Sequence, residues 1–171
     1  VYPLTDGGSG SQATSLTAVD MGNYIEVNTG PLKFRVNKVN FNLLDQVWLD
    51  QNANGSFEAS EVVVNPNPLN GGSVVHANYT GYNASGQWSS PPVRVADDVQ
   101  QDSARTAPEL NVAIEENGPQ RIVIRASALT KYMDTNDHLH GFAVRIYAYA
   151  GQPYVKVDYQ LQNSAKNKAY A

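Results

Sequence analysis

The chain has 171 residues, 42% of them hydrophobic and only 16% charged, with a net charge of −4 and no cysteine. This length suits one domain with a real core, and with charge below the ~25% of ordinary soluble domains the polar surface must come from Asn, Gln, Ser and Thr, a composition common in secreted β-rich proteins. Scattered Lys and Arg give nucleic acid no basic stripe, the missing cysteines exclude disulfides and thiolate chemistry, and no apolar run approaches the ~20 residues of a membrane-spanning helix.

Residues 1–22 carry Gly7, Gly8 and Gly10 among Ser and Thr without a period, and read as a linker or lead-in to a β-domain over 23–171. Val1–Gly10 has neither the basic start nor the apolar core of a signal peptide, and the missing initiator Met suits a chain excised from a longer one. From Asn23 the pattern is strand-like. Tyr24–Val27 alternates, Thr29-Gly30-Pro31 makes a turn, and Leu32–Val36 alternates with Leu32, Phe34 and Val36 on the buried face. Val47–Leu49 and Val62–Val64 are short β-rich runs around an acidic loop. Turn formers crowd Asn65–Ala107, with short strands predicted at Val74–Asn78 and Val93–Val95. Long strands are predicted over Leu110–Glu115, Arg121–Ala126, Phe142–Tyr149 and Tyr154–Leu161, joined by turns at Glu116–Pro119 and Tyr149–Pro153. The only helical signal is one turn near Pro108–Leu110. The expected fold is all-β, an antiparallel sandwich with long loops.

One motif carries chemistry. Asp50–Glu61 matches the twelve-residue calcium loop D-x-[DN]-x-[DN]-G-x5-E at every specified position. Calcium is a hard cation that takes six to eight oxygens at ~2.3–2.6 Å. Asp50, Asn52 and Asn54, two apart, aim side-chain oxygens at one centre. Gly55 allows the sharp turn that brings in the Ser56 carbonyl, Glu61 closes the site, and Phe57 takes the position that anchors such loops to a core. The flanking runs are strands rather than helices, so the expected role is a fixed staple and not a switch. With Asn at the third and fifth positions only Asp50 and Glu61 are certain to neutralise the ion, and Glu58 would act through water. Modest affinity, suited to extracellular calcium, follows.

Other polar clusters are weaker. Asp134–His140 offers His138 and His140 on one strand face, but three or four converging zinc ligands are missing, and a polar turn explains it. Asp97, Asp98 and Asp102 read as solvated surface. Glu115 and Glu116 are adjacent on a strand and so expected on opposite faces, a poor arrangement for a glycosidase acid and base. No G-x-S-x-G or phosphate loop occurs. Tyr79, Tyr82 and Trp88, in a Gly- and Asn-rich stretch, are candidate aromatic platforms for sugar rings; the alternative is that they pack over the end of the sandwich. Tyr147, Tyr149, Tyr154 and Tyr159 fall in the long strands and read as core or sheet-face residues.

Three segments together resemble a known family. They are Val27-Asn28-Thr29-Gly30-Pro31-Leu32-Lys33-Phe34, Glu116–Arg125 with its Gly118-Pro119 turn, and Phe142–Val157 with Ala150-Gly151-Gln152-Pro153. They are similar to the β-sandwich of YetA-like exo-rhamnogalacturonan lyases, over about residues 24–163. Asp158–Asn163 also resembles strands of the mutarotase-like sandwiches of carbohydrate enzymes. The resemblance implies a larger protein with an N-terminal β-barrel and a C-terminal α/α toroid, lyase chemistry lying at their junction. No catalytic residue carries over. Arg121, Arg125 and Arg145 match recurring arginines of that family, as pairing or sugar-facing residues, and Arg121 and Arg145 join the candidate carbohydrate contacts. The expected function is a calcium-stabilised, non-catalytic module of a secreted bacterial polysaccharide-degrading enzyme, partnered by carbohydrate and by other domains of the same polypeptide. An independent carbohydrate-binding or adhesion module is the alternative, and a lyase in its own right a third.

Overall fold

Apolar–polar alternation in this chain becomes antiparallel strands, seen in a computed structural model that describes residues 15–66, 74–78, 99–103, 109–129, 131–132 and 140–163. In chain order the strands are β1 (Thr17–Asp20), β2 (Tyr24–Asn28), β3 (Leu32–Asn37), β4 (Gln46–Leu49), β5 (Val62–Val64), β6 (Val74–Asn78), β7 (Val99–Ser103), β8 (Asn111–Asn117), β9 (Arg121–Leu129), β10 (Lys131–Tyr132), β11 (His140–Tyr149) and β12 (Val155–Asn163). They form a five-stranded meander β1-β2-β3-β4-β5, a four-stranded sheet ordered β12-β11-β9-β8, and a small sheet ordered β10-β7-β6. Every pairing is antiparallel. The all-β sandwich expected from the sequence is present.

The two larger sheets bury one face each against the other. Ile25 and Val27 of β2 and Phe34 and Val36 of β3 are fully buried, as are Ile122 and Ile124 of β9 and Val144 and Ile146 of β11, all in one cluster. Register puts Ile146 beside Ile124 and Val144 beside Ala126, so inward positions form continuous rows. At about 25 cal/mol per Å² of apolar surface removed from water, these rows supply the main drive for folding. Phe41, from the β3–β4 connection, plugs one side: its ring stacks at 5.6 Å on Phe142, which stacks at 6.1 Å on Tyr159.

Thr29 joins the sheets. It is fully buried at the turn between β2 and β3. Its hydroxyl donates to the carbonyl of Gln152 at 2.7 Å and accepts the Leu32 amide at 3.2 Å, while its carbonyl accepts the Gly151 amide at 2.7 Å. The β2–β3 turn of one sheet is thus bonded to the β11–β12 turn of the other. Gly30 beside it has φ +107, and a Cβ there would lie 2.6 Å from Ser15 Oγ, so only glycine fits.

Some elements depart from expectation. Thr17–Asp20, within the stretch read as lead-in, pairs with β2; its residues are mostly exposed, so no alternation marks it. β7, with the polar sequence Val-Gln-Gln-Asp-Ser, and the two-residue β10 are pairing-defined strands without a hydrophobic pattern. Val93–Val95 lies outside the described residues. Glu115 and Glu116 do not behave as ordinary neighbours. A bulge sets Ile114 opposite Ile124 but Glu116 opposite Val123, and both glutamates engage arginines of the outer sheet face.

Replacing Thr29 by Val keeps the shape but leaves the Gln152 carbonyl without its donor inside the fold. Thr29→Val is expected to cost about 1–3 kcal/mol in urea unfolding, and Thr29→Ser clearly less. Equal losses for the two variants would contradict the role given to the hydroxyl.

Candidate metal loop and sheet-face arginines

Asp50–Glu61 forms the connection between β4 and β5. The loop is organised by side-chain oxygens that accept backbone amides. Asp50 Oδ1 and Asn52 Oδ1 both accept the Asn54 amide, at 3.1 and 2.9 Å, and Asp50 Oδ2 accepts the Gly55 amide at 2.9 Å. Asn54 Oδ1 accepts the Ser56 amide at 2.7 Å, and Asn54 Nδ2 donates to Glu58 Oε1 at 2.8 Å. Gly55 has φ +78, the left-handed turn expected there. Ala53 adopts φ +56 without glycine's freedom, a cost of about 1–2 kcal/mol. The surrounding amide bonds impose that conformation.

The exit is a single 3₁₀ turn, Ala59–Glu61, which the sequence pattern did not announce. Glu61 is 4% exposed; its carboxylate accepts the Gln51 amide at 2.9 Å and the Glu58 amide at 3.2 Å, half of a capping box that Glu58 completes. Hydrogen bonds therefore run from Asp50 through Asn54 and Glu58 to Glu61. Ser56 is tied in through its amide. Hydrogen bonding from the Asn54 amide, with Glu61 next in effect, holds the Glu58 carboxyl below its usual range. Glu58 Oε2 is closed off from solvent with no hydrogen-bond partner. Among the described residues no group of three His, Cys, Asp or Glu side chains is arranged to hold a metal, so any cation here would depend on the Asn and main-chain oxygens as well.

Phe57 anchors the loop, but on the outside of the sheet and not in the core. Lys33 Nζ lies 4.7 Å from the Phe57 ring and 4.3 Å from that of Trp48, which sits opposite Lys33 across β3 and β4. Arg35 continues the stack, 5.0 Å from Trp48 and 4.5 Å from Tyr24, and its Nε donates to Glu26 at 2.9 Å. Trp48 is 8% exposed beneath these cations. Alternating cations and rings thus cover the outer face of the five-stranded sheet.

On the outer face of the four-stranded sheet, Arg121 holds Glu116 through Nε and Nη2 at 3.0 and 2.6 Å, and Arg145 holds Glu115 through Nε and Nη2 at 2.6 and 2.9 Å. Each pairing raises its arginine's pKa, and the Arg145 fork holds the Glu115 carboxyl below its ordinary value of 4.5. An acid catalyst needs the opposite shift. Both candidate carbohydrate arginines are thus committed to carboxylates. Tyr79, Tyr82 and Trp88 lie outside the described residues, as do Asp134–Leu139. Of the four tyrosines expected in the long strands, Tyr154 falls just before β12 and packs on Tyr149 at 6.4 Å, and Tyr147 carries Lys156 Nζ at 5.0 Å.

Because its folded pKa is lowered, Glu115 contributes stability above pH 4.5, and loses it as pH falls through the folded midpoint. A carboxyl-carbon NMR titration is expected to place that midpoint below 4.5, with Arg145→Gln moving it upward. A wild-type midpoint at or above 4.5 would contradict the pairing.

No curated protein matches this sequence. Residues 16–170 match the family described as the PcRGLX-like protein central beta sandwich domain, a rhamnogalacturonan lyase-like sandwich. The match takes in both large sheets, the Thr29 joint and the acidic loop, and the chain belongs to that family of central β-sandwich domains.

Proposed function

We propose that the chain serves as a non-catalytic β-sandwich module of a secreted, pectin- or rhamnogalacturonan-degrading lyase-like protein, with calcium stapling the Asp50–Glu61 loop. The observation that carries this reading is the family match across residues 16–170 to a domain described as central, a description that suits a sandwich flanked by other domains. Two features of the molecule support it. Glu115 and Glu116, the one carboxylate pair weighed for acid–base work, are both held by arginine forks. On edge strand β12 the apolar residues Val157, Tyr159 and Leu161 are 36%, 40% and 52% exposed, although register places them beside core residues of β11. Exposed apolar area of this kind is suited to a neighbouring domain.

The loop's donor chemistry supports calcium. Asp50, Asn52, Asn54, the Ser56 carbonyl and Glu61 would hold the ion, all with hard oxygen atoms, and the unpartnered Glu58 Oε2 would gain a cation to face. Bound calcium would fix the connection between β4 and β5 and hold Phe57 over Lys33, a rigid support rather than a switch.

Two measurements test the reading. Thermal unfolding in excess calcium is expected to exceed that in chelator, by about 2.7 kcal/mol when calcium stands at 100 times its Kd. Glu61→Gln is expected to remove that increment, and an identical melt with and without calcium would contradict the staple. Incubation of the chain with rhamnogalacturonan is expected to yield no rise in the ultraviolet absorbance of unsaturated uronate. Turnover by this chain alone would overturn the non-catalytic assignment.

A further inference from the structure

The acidic loop holds an Asn-Gly pair in a setting that its role as a staple does not require. Asn-Gly occurs three times in the chain, at Asn54, Asn70 and Asn117, of which Asn70 lies outside the described residues. Glycine has no side chain to keep its nitrogen away from the preceding asparagine. That nitrogen can attack the asparagine Cγ, close a succinimide ring and expel ammonia, an intramolecular reaction favoured by proximity.

The two described pairs differ in what surrounds the reacting atoms. Asn54 and Gly55 are both exposed, and a Cβ at Gly55 would meet nothing within 4 Å. The Gly55 nitrogen donates to Asp50 Oδ2 at 2.9 Å, a carboxylate that can take the proton. Asn54 Oδ1, where negative charge develops during attack, accepts the Ser56 amide at 2.7 Å. Asn54 Nδ2, the atom that leaves, donates to Glu58 Oε1 at 2.8 Å. A proton acceptor, an oxyanion donor and a partner for the leaving amine thus surround one side-chain amide. At Asn117 the backbone is held extended by pairing with Ile122, and the Gly118 nitrogen donates to the Arg121 carbonyl at 2.9 Å. A carbonyl accepts that hydrogen bond but is far too weak a base to take the proton.

We propose that Asn54 is a self-modifying site, its side-chain amide converted through attack by the Gly55 nitrogen to aspartate and isoaspartate. The bond from Gly55 N to Asn54 Cγ forms as Asp50 takes the amide proton. The Cγ–Nδ2 bond then breaks, and the nitrogen leaves as ammonia with that proton. Water opens the ring, at Cγ to give aspartate and at the main-chain carbonyl to give isoaspartate. One water is consumed for each ammonia released, and nothing is oxidised or reduced. The aspartate product replaces the Nδ2 donor by a carboxylate facing Glu58, so like charges meet where a hydrogen bond stood. A bound cation relieves that repulsion, so the modified loop depends on calcium more than its parent does, a step that rests on the calcium reading proposed above. Isoaspartate reroutes the chain through Cγ and breaks the two-residue spacing of Asp50, Asn52 and Asn54.

The test is peptide mapping by mass spectrometry after the unaltered protein has stood in warm neutral buffer with chelator. Aspartate and isoaspartate are expected to appear at position 54 at least tenfold faster than at position 117. Equal rates, or a faster reaction at Asn117, would overturn the site. In urea the difference between the two positions is expected to vanish, since both are Asn-Gly. A difference that survives unfolding would assign the preference to local sequence and overturn the role of the folded loop. Excess calcium is expected to slow the reaction at Asn54 at least tenfold, because the ion would take Asn54 Oδ1 and hold Cγ away from the Gly55 nitrogen. A fast reaction at Asn54 that calcium does not slow would support the self-modifying site and contradict the calcium staple, so the two readings fail separately.

Discussion

The buried hydroxyl and carbonyl of Thr29 are the constraint on which the sandwich depends. Apolar rows alone would press two sheets together without fixing where one lies over the other, because the hydrophobic effect is not directional. Thr29 supplies the direction: its hydroxyl reaches the Gln152 carbonyl and its carbonyl takes the Gly151 amide, both from the opposite sheet. A misplaced sheet would leave these groups buried and unpaired. The Gly30 conformation and the packing of Ser15 against it follow from the same turn.

With the inner faces committed to the core, chemistry is confined to the outer faces and the loops. The two outer faces differ. That of the five-stranded sheet is closed by its own side chains, cations and rings alternating from Tyr24 to Phe57, and this closure ties the β4–β5 loop down. That of the four-stranded sheet is a polar field in which Arg121 and Arg145 fork onto Glu116 and Glu115, and Lys156 pairs with Asp158. The acidic loop and the arginine–glutamate forks are thus separate features on separate sheets.

The parts of this arrangement legible in the sequence are those with a local signal. Leu32, Phe34 and Val36 alternate, and they are inward; Gly55 falls at the tight turn of the loop and takes a positive φ. The long C-terminal strands were equally plain from their β-branched and aromatic runs. What was not legible depends on register. The bulge at Glu115 turns adjacent glutamates onto one face, against the rule of alternation, and no residue type marks it. Which arginine meets which glutamate is likewise a fact about strand alignment and not about spacing. β7 and β1 carry too few apolar residues to announce themselves. Phe57 was expected in the core, and the Lys33–Trp48 pair that receives it outside is assembled from two strands.

The most direct test of this account is native-state amide hydrogen exchange at Gly151 and Leu32. If Thr29 locks the sheets together, both amides open only with global unfolding, and they should exchange as slowly as Ile124 and Val144 in the core strands. Exchange at these two amides orders of magnitude faster than at the core strands would mean that the turns part while the sheets stay packed. The joint would then not be what holds the sandwich.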